Sequence, residues 1–298
     1  MRKLFGLLLC APLVLGVTSC SSGDSAKPEQ PKATTAKEVG AGKGLATTGE
    51  PKVVLPSPME IASLIQRTGI NYEEGILNPT SQSEFYTTNY RKSLNLGVYG
   101  ADLGLILVFD QTQDAINYFK TVKTIAEELG VLSAFEQSTL NRVDKNIGNR
   151  DSLMTIAAKA FQNADMYLKE NERNAVSALV IAGGWIEGLY LSTKFGSVNY
   201  DAAILSRVGE QKKSLETLIT LVSRYKGDGD GYAKLYADLE DLMSSYEKVK
   251  ITYEAGANTI NKEKRVIEQG TKSKVEISKE TFDEIAGKIN VIREQIIN

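Results

Sequence analysis

The chain has 298 residues, with 35 Lys and Arg against 37 Asp and Glu, for a formal net charge of −2. That balance, without a dominant basic block, argues against a nucleic-acid partner. Histidine is absent, which removes the commonest general base, the commonest metal ligand and any Ser-His or Cys-His nucleophile pair.

In chain order, Arg2 and Lys3 give a positive start, and Leu4 through Val17 form an apolar stretch interrupted by Gly6, Pro12 and Gly16. This stretch fits the roughly 7–15 residues of a secretory signal core and is too short to cross roughly 30 Å of hydrocarbon. Val17-Thr18-Ser19-Cys20 follows directly. The segment resembles the lipobox of bacterial lipoproteins. The resemblance implies a diacylglycerol on the Cys20 thiol, cleavage before that residue, and acylation of the new amino group. Several acyl chains make a stable anchor, at about 0.8 kcal/mol per buried CH₂. Ser21 stands where an aspartate often signals inner-membrane retention in such proteins, which implies the outer membrane. The other cysteine, Cys10, lies in the segment to be removed. The mature chain then has no thiol for a disulfide, a metal or nucleophilic catalysis. Its length permits a hydrophobic core that does without disulfides.

Residues 20–52 change composition. Only Val39 and Leu45 are sizeable apolar residues there, among Pro28, Pro31, Pro51 and many Ser, Thr, Gly, Ala and Lys. Such a segment cannot offset its ordering entropy by burial, so it reads as a disordered tether with a reach of roughly 30 Å. Without residues 1–19, which hold Arg2, Lys3 and no acid, 33 basic residues face 37 acidic ones, a net −4.

From Val53 to Asn298 a period near 3.6 predicts one mostly α domain, a multi-helix antiparallel bundle of eight or nine helices. Ser57-Pro58-Met59-Glu60 reads as a capping box opening a short helix with Ile61, Leu64 and Ile65. Ser81 with Glu84 predicts a second box and a long helix towards Phe109. Asp110 with Gln113 predicts a third, running to a stop at Gly130. Ser133 with Glu136 predicts a fourth, with Leu140, Val143 and Ile147 behind it. Leu153 to Leu168 forms an amphipathic face, and Ala175 to Leu191 is apolar almost all round, as a central helix should be. Two more faces run from Ile204 to Tyr225 and from Tyr232 to Val249. Phe282, Ile285, Ile289, Ile292 and Ile296 form a last, narrow seam. Between them, Arg265-Val266-Ile267 and Lys274-Val275-Glu276-Ile277 flank Gln269-Gly270-Thr271-Lys272 and predict a small β-hairpin near 264–277.

Candidate chemistry is sparse. Lys226-Gly227-Asp228-Gly229-Asp230-Gly231 invites a calcium-loop reading, but its turn glycine puts Lys226 at the first ligand position and Ala237 at the twelfth. Both are wrong for that site, so the stretch reads as a polar turn with Asp230 near a helix start. No cofactor motif and no metal-ligand set stands out. Carboxylate-only catalysis and a Ser-Lys pair remain open without a signature for either.

Two acids stand alone in apolar, glycine-punctuated helices. Asp102 follows Gly97 and Gly100 and precedes Gly104; Glu187 sits among Gly183, Gly184 and Gly188. Glycines inside helices cost up to about 1 kcal/mol each relative to alanine, so their clustering predicts close backbone approach. Buried acids would need donors, for which Tyr99, Asn95, Tyr190, Trp185 or a lysine are candidates. The candidate polar site is therefore Asp102 and Glu187 with Tyr99, Trp185 and Tyr190, either fixing helix register or forming a small site between two helices. The 13 Tyr, 8 Phe and 1 Trp suit helices with rings at a wet boundary, and a sugar or peptide groove would use the same types.

The blocks LNLGVYGADLGLILVFDQTQDAINYF and GGWIEGLYL resemble uncharacterised envelope lipoproteins of Bacteroidetes-type bacteria. That resemblance implies an envelope location and brings no activity with it. The missing histidine argues against the imelysin-like helical lipoproteins. The sequence therefore predicts a lipoprotein held on a membrane through Cys20, acting as a non-enzymatic binding or scaffold module. The alternative is an envelope hydrolase using Asp102 and Glu187.

Overall fold

The structure is a computed structural model and describes residues 58–67, 69–132, 142, 145–146, 149–261 and 266–298, all within one compact unit. The expected signal (1–19) and tether (20–52), and most of the helix expected after Ser133, lie outside the described residues. Those described form a mostly α-helical bundle with one two-stranded antiparallel sheet.

Helix α1 (Pro58–Arg67) starts at the proline, where the missing N–H is no loss. The expected long helix from Ser81 does not form. Residues Thr80–Phe85 instead close into a 3-10 segment, with the Ser83 hydroxyl bonded back to the Thr80 carbonyl at 2.8 Å. The β-branched pair Thr87-Thr88 follows, and such residues favour extended backbone. Thr88, at φ −98° and ψ 151°, is the true cap: its side chain accepts the Arg91 N–H as α2 (Asn89–Val108) begins.

Asp110 does not open the next helix either. It takes a left-handed conformation (φ 59°), and the following N–H of Gln111 bonds back to the Ile106 carbonyl at 3.0 Å, so it terminates α2. Helix α3 (Thr112–Glu128) then runs to Gly130, left-handed at φ 67°, as expected. Helix α4 (Arg150–Glu170) is capped by Asn149 and α5 (Asn174–Asn199) ends at a left-handed Tyr200.

Asp201 caps α6 (Ala202–Ser223), its carboxylate accepting the N–H groups of Ala203 and Ile204 at 2.9 and 3.1 Å. Asp201→Ala is expected to lower stability by about 1 kcal/mol in a denaturant melt, as cap removal does elsewhere; an unchanged midpoint would show that α6 needs no cap. Asp230 opens α7 (Asp230–Tyr246), behind Gly229 at φ 145°. No group of three or more potential metal ligands gathers among the described residues.

The hairpin exists but is longer than the sequence suggested. Strands β1 (Lys250–Asn261) and β2 (Val266–Glu276) pair from Lys250↔Glu276 to Asn261↔Val266, with a register shift between Ala255 and Asn258. Gln269-Gly270-Thr271-Lys272 is thus not the turn but part of β2, with Thr271 opposite Ala255. Helix α8 (Lys279–Ile297) follows a Ser278 cap and buries Phe282, Ile285, Ile289, Ile292 and Ile296.

Two helices form the centre. Every residue of α2 from Ser93 to Val108 is buried, and α5 is buried over most of its length. The α2–α5 contact is the most extensive between any two helices. Helix α5 is long and apolar enough to cross a membrane, but 78% of its most apolar window is covered by the rest of the protein. Its composition is that of a core helix.

Glycine explains how close the two helices come. A Cβ at Gly183 would overlap the Leu94 carbonyl oxygen, and one at Gly97 would overlap the Val180 carbonyl oxygen. The approach is reciprocal, each helix offering a glycine to the other's backbone. Gly100 makes room in the same way for the Phe161 ring of α4.

Candidate functional site

Asn95, Tyr99 and Asp102 lie at i, i+4 and i+7 on α2, one stripe of one face. Gly183, Glu187 and Tyr190 repeat that spacing on α5, and Ile289, Arg293 and Ile296 on α8. The three stripes meet in the core. Asp102 and Glu187 have no exposed surface, and Arg293 is 4% exposed.

Arg293 grips Glu187 with two nitrogens. Its Nε lies 3.0 Å from Oε2 and 3.3 Å from Oε1, and its Nη2 lies 3.1 Å from Oε1. The same Nη2 donates to the Ile76 carbonyl at 3.1 Å, tying α8 to the segment before α2. The guanidinium carbon sits 4.2 Å from the Tyr190 ring centroid, so the cation rests on an aromatic face. Burial works against the arginine charge, but Glu187 outweighs it and holds the group above its ordinary range. Burial likewise pushes Glu187 up while Arg293 pulls it back.

Asp102 has a different environment. Its Oδ2 accepts the Asn78 backbone N–H at 3.1 Å, and its Oδ1 meets no donor. Burial raises its pKa well above the ordinary carboxylate value, and the nearby charge of Glu187 raises it further.

Around this pair runs a seam of satisfied polar groups. The Asn78 side chain donates to Tyr86 Oη at 3.0 Å and to Asn95 Oδ1 at 3.2 Å, while the Tyr118 hydroxyl donates to the Asn78 carbonyl at 3.0 Å. Asn95 Nδ2 donates to the Arg91 and Ile296 carbonyls, and the Tyr86 hydroxyl to the Ile297 carbonyl at 3.1 Å. These last bonds satisfy carbonyls at the end of α8 that have no partner within the helix.

The five candidates therefore separate. Asp102 and Glu187 meet, with Tyr190 against the arginine that holds Glu187. Tyr99 lies beside them but donates its hydroxyl to the Pro79 carbonyl at 2.9 Å, not to an acid. Trp185 is elsewhere: two residues from Glu187 is a rotation of about 200° around the helix, and its Nε1 donates to Gln211 Oε1 on α6 at 3.2 Å. No lysine serves either acid. The donors are Arg293 and the Asn78 backbone, which the sequence reading missed along with Tyr86 and Tyr118. Arg293 had a legible signal as a basic residue beside the isoleucine seam of α8, a position it shares with Lys288; Asn78 sits outside any periodic pattern and had none.

Comparison with known proteins returns no matching family model, no matching curated protein and no matching solved structure.

Proposed function

We propose that the protein is a membrane-anchored lipoprotein of the cell envelope, held through lipid on Cys20, whose helical domain acts as a non-enzymatic binding or scaffold module. The observation that carries the anchoring is the order of its first residues: a positive start, a short apolar stretch, then Val17-Thr18-Ser19-Cys20. Ser21 favours the outer membrane over the inner. A polar, proline-containing stretch between Cys20 and α1 fits a tether that holds a domain near a lipid surface.

The burial of the two acids favours the module over the hydrolase. A glycosidase-type pair works with its carboxyls about 5–10 Å apart, with substrate or water between them. Asp102 and Glu187 have no exposed surface, Glu187 being held by Arg293 and Asp102 by the Asn78 backbone N–H. That arrangement joins α2, α5 and α8 and keeps both acids away from the surface.

Cys20→Ala is expected to abolish incorporation of a fatty-acid analogue in growing cells and to release the protein from the membrane fraction or leave it uncleaved. Undiminished label in the variant would refute the anchoring.

A further inference from the structure

We propose that Asp102 and Glu187 form a buried proton-binding site: one proton resides on Oδ1 of Asp102, is donated to the Glu187 carboxylate, and leaves a triad with Arg293 that is electrically neutral. The inference is independent of the anchoring.

It rests first on an accounting of donors. Asp102 Oδ1 is fully buried and has no hydrogen-bond partner, and the equally buried Glu187 is the neighbouring charge that disfavours its ionisation. Two carboxylates in contact cannot both be ionised at tolerable cost, and a proton between them turns the repulsion into a hydrogen bond. Most donors around the pair serve other acceptors. On α2, Tyr99 donates to the Pro79 carbonyl, and Asn95 to the Arg91 and Ile296 carbonyls. On α3, Tyr118 donates to the Asn78 carbonyl, and before α2 the Asn78 amide serves Tyr86 and Asn95. On α8, Arg293 spends its Nε and Nη2 on Glu187 and Ile76, and its Nη1 lies 3.7 Å from Glu294. From α5, Tyr190 presents its ring to Arg293. The guanidinium of Arg91 lies over the Tyr86 ring, 5.2 Å from its centroid, and its buried Nη2 has no hydrogen-bond partner, Asp102 Oδ1 included.

Charge places the proton on the aspartate. Arg293 bonds both oxygens of Glu187 and makes no hydrogen bond to Asp102. Glu187 is therefore the carboxylate with a counter-charge, and Asp102 is the acid that burial and its neighbour keep neutral. One cation, one anion and one neutral acid remain in a core that excludes water.

The sign of the pH dependence follows. A carboxyl whose folded-state pKa lies above its unfolded value binds more proton when folded, so its contribution falls as pH rises. Relative to Asp102→Asn, the wild-type folding equilibrium is expected to weaken as pH rises above about 4, approaching tenfold per pH unit until the folded-state aspartate ionises. The asparagine keeps the shape, accepts from the Asn78 N–H and donates to Glu187 without a titrating proton.

Infrared spectra of the full-length protein in detergent test the site directly. At pH 7 the wild type is expected to show a protonated-carboxyl carbonyl band that shifts on ¹³C labelling of aspartate carboxyls and vanishes in Asp102→Asn. Asp165→Asn should leave that band in place, because Asp165 lies apart from the pair, against Lys169 and Ser177. Absence of the band in the wild type overturns the proposal even if the variant fails to fold. A band that ignores aspartate labelling puts the proton on a glutamate and overturns it equally. Urea melts between pH 5 and 9 provide the second readout, where a gap between wild type and Asp102→Asn that stays constant with pH would contradict it.

Discussion

Arg293→Met is expected to lower the unfolding free energy by about 3–5 kcal/mol at neutral pH. The substitution keeps most of the apolar stem but removes the cation from a position that is 4% exposed. Glu187 would then stand as an uncompensated anion beside a protonated neighbour, and the Ile76 carbonyl would lose the Nη2 donor. Part of the loss should return in the double variant Glu187→Gln with Arg293→Met, because replacing both partners of a buried pair is far milder than removing one. The single variant should also recover as pH falls, when Glu187 can take up its own proton. Denaturant melts at two pH values measure all of this. A loss below about 1 kcal/mol, the scale of exposed pairs, would mean that the triad contributes little to holding α8 in place.

Gly183→Ala is expected to cost as much, for a reason unrelated to charge. The added Cβ would overlap the Leu94 carbonyl oxygen and lie 2.8 Å from its carbon, and a backbone cannot swing aside as a side chain can. The two central helices must separate, losing packing along their length, so the cost should reach or exceed the usual 1–3 kcal/mol of overpacking. Gly97→Ala, which meets the Val180 carbonyl and the Gly184 nitrogen, should behave alike. Gly184→Ala is the graded control: its nearest atom is the Gly97 carbonyl oxygen at 3.4 Å, an ordinary contact. Gly227→Ala meets nothing within 4 Å and should be near neutral. Equal losses at Gly183 and Gly227 in thermal melts would refute the close approach.

Much of the bundle was legible because helices announce themselves through a local period. The isoleucine seam of α8, the apolar run of α5 and the stop at Gly130 all needed only residues within one element. Boundaries were harder where two signals compete. Ser81 and Glu84 have capping-box spacing, yet Ser83 bonds back to Thr80 and Thr88 becomes the cap. Asp110 has the chemistry of an N-cap and also the tolerance for φ above zero that ends a helix, and the second property prevails. The hairpin misled because Gln269-Gly270 looks like a turn, although Lys250-Ile251-Thr252-Tyr253-Glu254-Ala255 carries the polar–apolar alternation of a strand.

The candidate site divides along the same line. Two lone acids among glycines signalled that something polar lay inside, since that pattern belongs to single helices. Their partners are non-local: Arg293 is separated from Glu187 by 106 residues and from Ile76 by 217. No spacing rule reaches that far, so the lone lysine or tyrosine donors suggested by proximity in the chain were not the ones used.

Those separations bear on the order in which the molecule assembles. Asn95 reaches across 201 residues to Ile296, and Tyr86 across 211 to Ile297. Closing loops of that length has to precede the reward of the contacts, which slows folding. Until α8 arrives, Glu187 lacks its cation, and the polar groups of Asn95 and Tyr86 face an open gap in the centre. Before α8 docks, those groups can be satisfied only by water. On the proposed reading of an exported lipoprotein, such late closure would keep the chain open for threading through a membrane channel.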